Sequence, residues 1–199
     1  MLDRTIPFRN TIMKCYDYEY RNAELPDGFS VVSYQPGYEK EWARLECAVG
    51  DFDSAAEAEK YFAGTYLRRA ELFPDILFAM HGEHDVAGSC IAWQDTRGMH
   101  SVSSLHWLVV DERYRGLGLG RALVTAVMNR FAQRRALPVY IHTQPWSWKA
   151  ILLYASLGFR LQKTDTFSHY ENEYDQAMTE LEKILTAEQF ALLKQSSEE

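Results

Sequence analysis

No stretch of this sequence carries the roughly 20 consecutive apolar residues that a membrane-crossing helix needs. Met1-Leu2-Asp3-Arg4 is not followed by the apolar core of a secretory signal either, so a cytoplasmic protein is expected. Cysteine is scarce. Cys15, Cys47 and Cys90 are far apart and show no C-x-x-C pair, which points to neither a disulfide framework nor a cysteine zinc site. No two of the six histidines have the helix spacing of a zinc protease motif, so no metal is expected. Positive charge is also in deficit: 21 Lys and Arg stand against 28 Asp and Glu, a formal net charge of -7. A field of that sign disfavours nucleic acid and anionic membrane as partners. Repeats and low-complexity tracts are missing too. What remains is 199 residues, 47% hydrophobic and 25% charged, the composition of one globular domain.

Residues 23–165 read as an alternating α/β domain, with 1–22 as an N-terminal extension and 166–199 as a helical C-terminal appendage on the same domain. The pattern predicts a strand over 29–34, a helix over 39–49 stopped by Gly50, and a second helix behind the capping-box sequence Ser54-Ala55-Ala56-Glu57. Three strands follow, at 76–80, 86–93 and 103–110, as an antiparallel meander. A helix carrying Leu119, Leu123, Val127 and Phe131 on one stripe leads to a strand over 139–143. A helix over 148–157, closed by Gly158, leads to a last strand near 159–162. Strand, helix, strand in this order implies a parallel pair joined by a crossover. In the tail, Tyr174, Met178, Leu181 and Leu185 share a helical face, and Thr186-Ala187-Glu188-Gln189 has the form of another capping box.

The sharpest chemistry lies between the third meander strand and the helix after it, at Arg115-Gly116-Leu117-Gly118-Leu119-Gly120-Arg121. Glycines there let backbone N–H groups approach an anion without hindrance from Cβ, and a helix N-terminus adds unpaired donors and a positive dipole end. The ligand that suits this is a phosphate or pyrophosphate. A dinucleotide fingerprint would need a third glycine at position 121 or 123, where Arg121 and Leu123 stand, and the Gly-Lys-Ser/Thr of a Walker loop is missing.

What does match is Arg115-x-x-Gly118-x-Gly120 behind a strand ending Leu108-Val109-Val110-Asp111, which resembles the coenzyme A pyrophosphate loop of the GNAT superfamily, the Gcn5-related N-acetyltransferases. A second stretch extends the resemblance. Superfamily members carry a segment like Asn-x-x-Ala-x-x-Leu-Tyr-x-x-x-Gly-Phe, and here Ser147-Trp148-Lys149-Ala150-Ile151-Leu152-Leu153-Tyr154-Ala155-Ser156-Leu157-Gly158-Phe159 departs from it only at Ser147.

The resemblance implies an α/β GNAT fold: a mixed, mostly antiparallel sheet with a splayed parallel pair, flanked by helices. It implies acetyl-CoA as acetyl donor, with Leu108, Val109 and Val110 holding the pantetheine arm through free backbone groups. Arg115, Gly116, Leu117, Gly118, Leu119, Gly120 and Arg121 would hold the pyrophosphate, with Ser147 and Lys149 as further contacts. Tyr154 takes the place of the general acid at the thioester sulfur. His106, four positions before Val110, resembles the histidine that arylalkylamine N-acetyltransferases carry for proton removal, and Ser104 stands where histone-type members have Glu. Alternation puts Ser104, His106, Leu108 and Val110 on one strand face and Leu105, Trp107 and Val109 on the other. His142 or water is the alternative base, and His142, at a strand end, is also a candidate to line the acceptor site.

The loop between the two leading helices borders the acceptor in this superfamily, which here makes Asp51, Phe52 and Asp53 candidates for receiving a cationic amine. The implied activity is acetyl transfer to the amine of a small molecule in a ternary complex. The alternatives are a coenzyme A-binding module without turnover and acetylation of a protein N-terminus or lysine. A homodimer through the C-terminal helices stays open.

Overall fold

The computed structural model describes residues 3–198; Met1, Leu2 and Glu199, at the outer ends of the two flanking segments, lie outside the described residues. Its strands are β1 (Thr11–Cys15), β2 (Phe29–Ser33), β3 (Ile76–His81), β4 (Asp85–Arg97), β5 (His100–Val110), β6 (Val139–Thr143) and β7 (Arg160–Leu161). They hydrogen-bond in the order β2-β3-β4-β5-β6-β1-β7. The parallel pair is β5 with β6, in the register Ser103↔Val139 and Ser104↔Tyr140, where the ladder ends. Helices are α1 (Tyr38–Val49), α2 (Ala55–Phe62), α3 (Leu119–Gln133), α4 (Trp148–Ser156), α5 (Tyr174–Ile184) and α6 (Ala187–Gln195). The sheet is thus the mixed α/β arrangement expected, and the chain forms two compact units.

The first unit comprises Tyr20–Trp93 and Leu105–Arg130. Helix α1 starts where the Glu39 carboxylate accepts the Gly37 amide and the Tyr34 hydroxyl, both at 2.8 Å. It stops at Gly50, whose φ of 87° is open to a residue without Cβ and whose amide returns to the Glu46 and Cys47 carbonyls. Its buried face carries Trp42, Leu45, Glu46 and Val49. Helix α2 begins with the Ser54 half of the expected capping box, its hydroxyl accepting the Glu57 amide at 3.2 Å, and the chain continues as a wide turn over Ala63–Leu67. Gly88 on β4 has a reason that sequence periodicity does not reveal. A Cβ built there would lie 2.6 Å from the Val109 carbonyl oxygen, so only glycine allows this approach.

The second unit comprises the segment before Tyr20, Gln94–Ser104 and the chain from Phe131 onward. Here the segment set apart as an extension supplies β1, all five of whose residues are buried. It lies between β6 and β7, antiparallel to both. Lys14 disguised this strand, because a lysine in the middle of Thr-Ile-Met-Lys-Cys argues against burial on both faces. Its ammonium is neutralised by Asp165 at 2.8 Å and lies over the rings of Tyr16 and Tyr140, at 4.5 and 4.7 Å from their centroids. The strand-helix-strand reading holds for β5, α3 and β6, which form the parallel pair, while β7 pairs with the inserted β1. The tail is helical as expected. Thr186 and Gln189 exchange both bonds of a full capping box at the start of α6.

Candidate active site

The glycine loop of the first unit is fixed from behind by an ionic network. Asp111, directly after β5, donates its amide to the Ala87 carbonyl at 2.9 Å. Its carboxylate accepts from Arg113 Nε at 3.1 Å and Nη2 at 2.8 Å, from the Arg113 amide at 3.0 Å, and from Arg44 Nη1 at 2.7 Å. Arg113 also forks onto Asp85, and Arg44 reaches Glu41 and the Val86 carbonyl. Hydrogen bonds from Arg113 and then Arg44 hold the Asp111 carboxyl well below the usual carboxylate range. Sequence reasoning passed over this network. Its one signal is the Asp-x-Arg spacing at the strand end, which is too common to stand alone.

Beyond the network, Gly116 and Gly118 adopt φ of 81° and 89°, and a Cβ at either would meet nothing within 4 Å. These glycines are required by backbone conformation and front open space. The Gly118 carbonyl accepts the Ala122 amide at 3.1 Å, the first bond of the α3 ladder. The amides of Leu119 and Gly120 thus lie in the first turn of α3, at the positive end of a 15-residue helix. Leu119, 1% exposed, anchors that turn, while Leu117 is half exposed. Arg115 donates Nε to the Val110 carbonyl at 3.2 Å. That carbonyl is engaged rather than free, and the Val109 oxygen faces Gly88.

Strict alternation along β5 does not hold. Trp107 has φ of 51°, a left-handed conformation that breaks the period of two, so the division into two faces ends at His106. Trp107 lies against Trp42, Phe52 and Tyr61, with ring centroids 5.4, 5.6 and 5.5 Å away. Tyr66 joins through Trp42 at 6.5 Å and passes to Trp93 at 5.2 Å, and His106 lies 5.7 Å from Trp93. His106 and Trp107 thus both border one aromatic cluster.

Of the acceptor candidates in the loop between α1 and α2, Phe52 is part of the cluster, within 5.6 Å of Trp42 and 5.4 Å of Tyr61. Asp51 donates its amide to the Glu46 carbonyl at 3.0 Å, and Asp53 acts on the Cys47 thiol by charge alone. Glu46 itself went unnoticed in the sequence. It is 1% exposed, and burial, reinforced by the Asp51 charge, pushes its carboxyl well above the usual range.

The other candidates belong to the second unit. Tyr154 is 5% exposed on α4, its ring 5.9 Å from that of Phe159, and its carbonyl accepts the Leu157 and Phe159 amides that close the helix. The Ser147 hydroxyl accepts from Gln144 Nε2 at 3.0 Å, and the Lys149 ammonium lies 5.3 Å over Trp148. His142 is occupied: it pairs with Asn10 Oδ1 at 2.8 Å and stacks on Tyr170 at 3.7 Å. Two neighbouring concavities of about 510 and 530 Å³ share Lys14, Arg97 and Gly98, and none of the residues expected to act lines them. Asp165 already neutralises the cations there, with Arg97 at 2.7 Å and Lys14 at 2.8 Å. Among the described residues no group of three or more His, Cys, Asp or Glu is placed to hold a metal ion.

Comparison with known proteins identifies the family. Residues 35–159 match the GNAT acetyltransferase family. A mycothiol acetyltransferase from Acidothermus cellulolyticus is 32% identical over 158 residues, 71% of this chain and 47% of its own length. The chain thus spans about half the length of that curated relative. Among solved structures, a GCN5-related N-acetyltransferase from Sphaerobacter thermophilus superposes with a TM-score of 0.59 at 23% identity, over 78% of this chain and 49% of the other. A GNAT-family acetyltransferase from Colwellia psychrerythraea gives 0.60 at 15% identity, over 78% and 54%. Glucosamine-6-phosphate N-acetyltransferase from Arabidopsis thaliana gives 0.52 at 17% identity, over 72% and 99%. The glycine loop, the Tyr154 segment and the match across 35–159 together make this chain a member of the GNAT acetyltransferase family.

Proposed function

We propose that the chain is an N-acetyltransferase that moves an acetyl group from acetyl-CoA directly to the amine of a small molecule within a ternary complex. The observation that carries this is the loop Arg115–Gly120: two glycines at positive φ facing open space, at the positive end of α3, in a member of an acetyltransferase family. That cradle suits a pyrophosphate, and a Cβ at either glycine would stand in it.

The donor supplies a thioester carbonyl as electrophile. The backbone of Leu108–Val110 orients the pantetheine arm, and Arg115, Arg121 and the loop amides hold the pyrophosphate. The acceptor nitrogen bonds to the acetyl carbon as the carbon–sulfur bond breaks. His106, directly or through water, takes the proton the amine loses, and Tyr154 gives one to the departing sulfur. Ser147, shorter than the Asn in the family pattern, makes its contact by way of water.

Thiol release measured over a panel of amines, for wild type and Tyr154→Phe, tests the reading. Amine-dependent release that drops by about 10²-fold or more in the variant supports it. Acetyl-CoA binding without acceptor-dependent release points to a binding module. Release on peptides but not on small amines points to a protein substrate.

A further inference from the structure

The loop network leaves Glu46 unused. It lies on the buried face of α1, one turn after Trp42, and its Oε1 is buried without a hydrogen-bond partner. No ion pair is made to it among the described residues, and its charged neighbour is another carboxylate, Asp51. The remaining titratable groups that face it are Cys47 on α1, Cys90 on β4 and the Tyr66 hydroxyl, none of which is cationic. A carboxyl in such a place is costly unless something with opposite charge arrives.

The surroundings suit a cation. Trp42, Phe52, Tyr61, Tyr66 and Trp107 present ring faces and edges to one another within 6.5 Å. The Trp42 indole N–H is buried without a partner, and the Tyr66 hydroxyl and Trp107 indole N–H lie close to each other outside hydrogen-bond geometry. Closely packed aromatic cores normally leave no such concentration of unmet polar groups. At Tyr61, 37% exposed, the cluster reaches solvent.

We propose that Glu46 and the aromatic walls of Trp42, Phe52, Tyr61, Tyr66 and Trp107 form the seat for the acceptor, selecting an organic primary ammonium compound with an apolar body. Glu46 anchors the ammonium by charge and hydrogen bond, while the rings add cation–π attraction. The proposal rests on the acetyltransferase reading for its word "acceptor", and on the cluster alone for the binding. Burial favours the protonated carboxyl, so pairing with the ammonium releases that proton to solvent; for transfer the bound ammonium then gives one proton to the Glu46 carboxylate, and the neutral amine that results attacks the acetyl carbon.

The test uses the full chain without acetyl-CoA. Primary ammonium ions from methylamine to benzylamine are titrated against the corresponding neutral alcohols, with tryptophan fluorescence as readout, and by calorimetry in buffers of differing ionisation enthalpy. The expected result is an ammonium preference of about tenfold or more, which falls to within about twofold in Glu46→Gln. Wild type releases protons on binding and Glu46→Gln does not, while an unchanged circular dichroism spectrum shows that the variant folds. Phe52→Ala weakens binding of the amines and keeps the preference. Equal affinity for ammonium and alcohol, or a preference that survives Glu46→Gln, overturns the proposal. Ammonium selectivity without thiol release would leave this seat standing and remove acetyl transfer; amine acetylation indifferent to Glu46→Gln would do the reverse.

Discussion

At the scale of single residues, burial of charge sets the strongest expectations. Glu46 is an acid whose folded-state pKa is raised, so above the unfolded carboxyl range the native state holds a proton that the unfolded state has lost. Stability therefore falls as pH rises from about 4.3 toward the raised value. Glu46→Gln removes that liability. Its melting temperature at pH 7 is expected to rise by about 2–4 °C, the response of a chain this size to roughly 1 kcal/mol, while ammonium binding declines. A purely structural role for Glu46 would make both decline together, so calorimetry beside the binding assay tells the two apart. Asp111 is the opposite case. Its carboxyl is held low by Arg113 and Arg44, so Asp111→Asn is expected to cost about 1–3 kcal/mol, discounted because both arginines are partly exposed. Denaturant titration measures the loss, and because Asp111 anchors the glycine loop, KM for acetyl-CoA is expected to rise with it. Neither residue was marked in the sequence. An isolated Glu on an amphipathic helix looks like any solvated one until the neighbouring rings are placed, and three-dimensional pairing such as Arg44 with Asp111 has no short-range signature.

At the scale of elements, the sequence spoke clearly wherever local chemistry decides. Gly50 at the end of α1, Ser54 before α2, and Thr186 with Gln189 before α6 all act as their residue types predict. Thr186→Ala is expected to lower stability by about 1 kcal/mol, seen as a shift in denaturation midpoint without a change in slope. The glycine loop was legible for the same reason, since φ of 89° at Gly118 is a demand on one residue. Gly118→Ala places a Cβ in open space and strains the backbone by about 1–2 kcal/mol. Steady-state kinetics are expected to show a higher KM for acetyl-CoA with kcat largely kept. Two features were illegible, and both for long-range reasons. Strand β1 hid behind Lys14, whose burial depends on Asp165, a residue 151 positions away. The period of β5 failed at Trp107, whose φ of 51° is held by aromatic neighbours from α1 and the turn after it.

At the scale of the whole molecule, acid is expected to act through the carboxylates held low by cationic partners. Lys14, the Tyr140 hydroxyl and the Arg97 charge lower the Asp165 pKa against the opposing effect of its burial. The stability this contributes is present above the unfolded carboxyl value, near 3.9, and is lost as pH falls through the lower folded value. Asp111 adds to the same loss, so unfolding monitored by circular dichroism is expected to steepen below about pH 4. Asp165→Asn, which strands the nearly buried Lys14 ammonium, is expected to cost about 3 kcal/mol at pH 7.

The placement of β1 bears on how the chain is made. Thr11 pairs with Thr143, and Met13 with Leu161. A ribosome releases β1 before both strands that flank it, which are synthesised more than a hundred residues later. Until then five core residues wait without a sheet, an exposed strand seeking an edge. Closing so long a loop is slow, which makes newly made chains of this protein clients for whatever shields unpaired strands, and makes a late step of folding the seating of β1 between partners made after it.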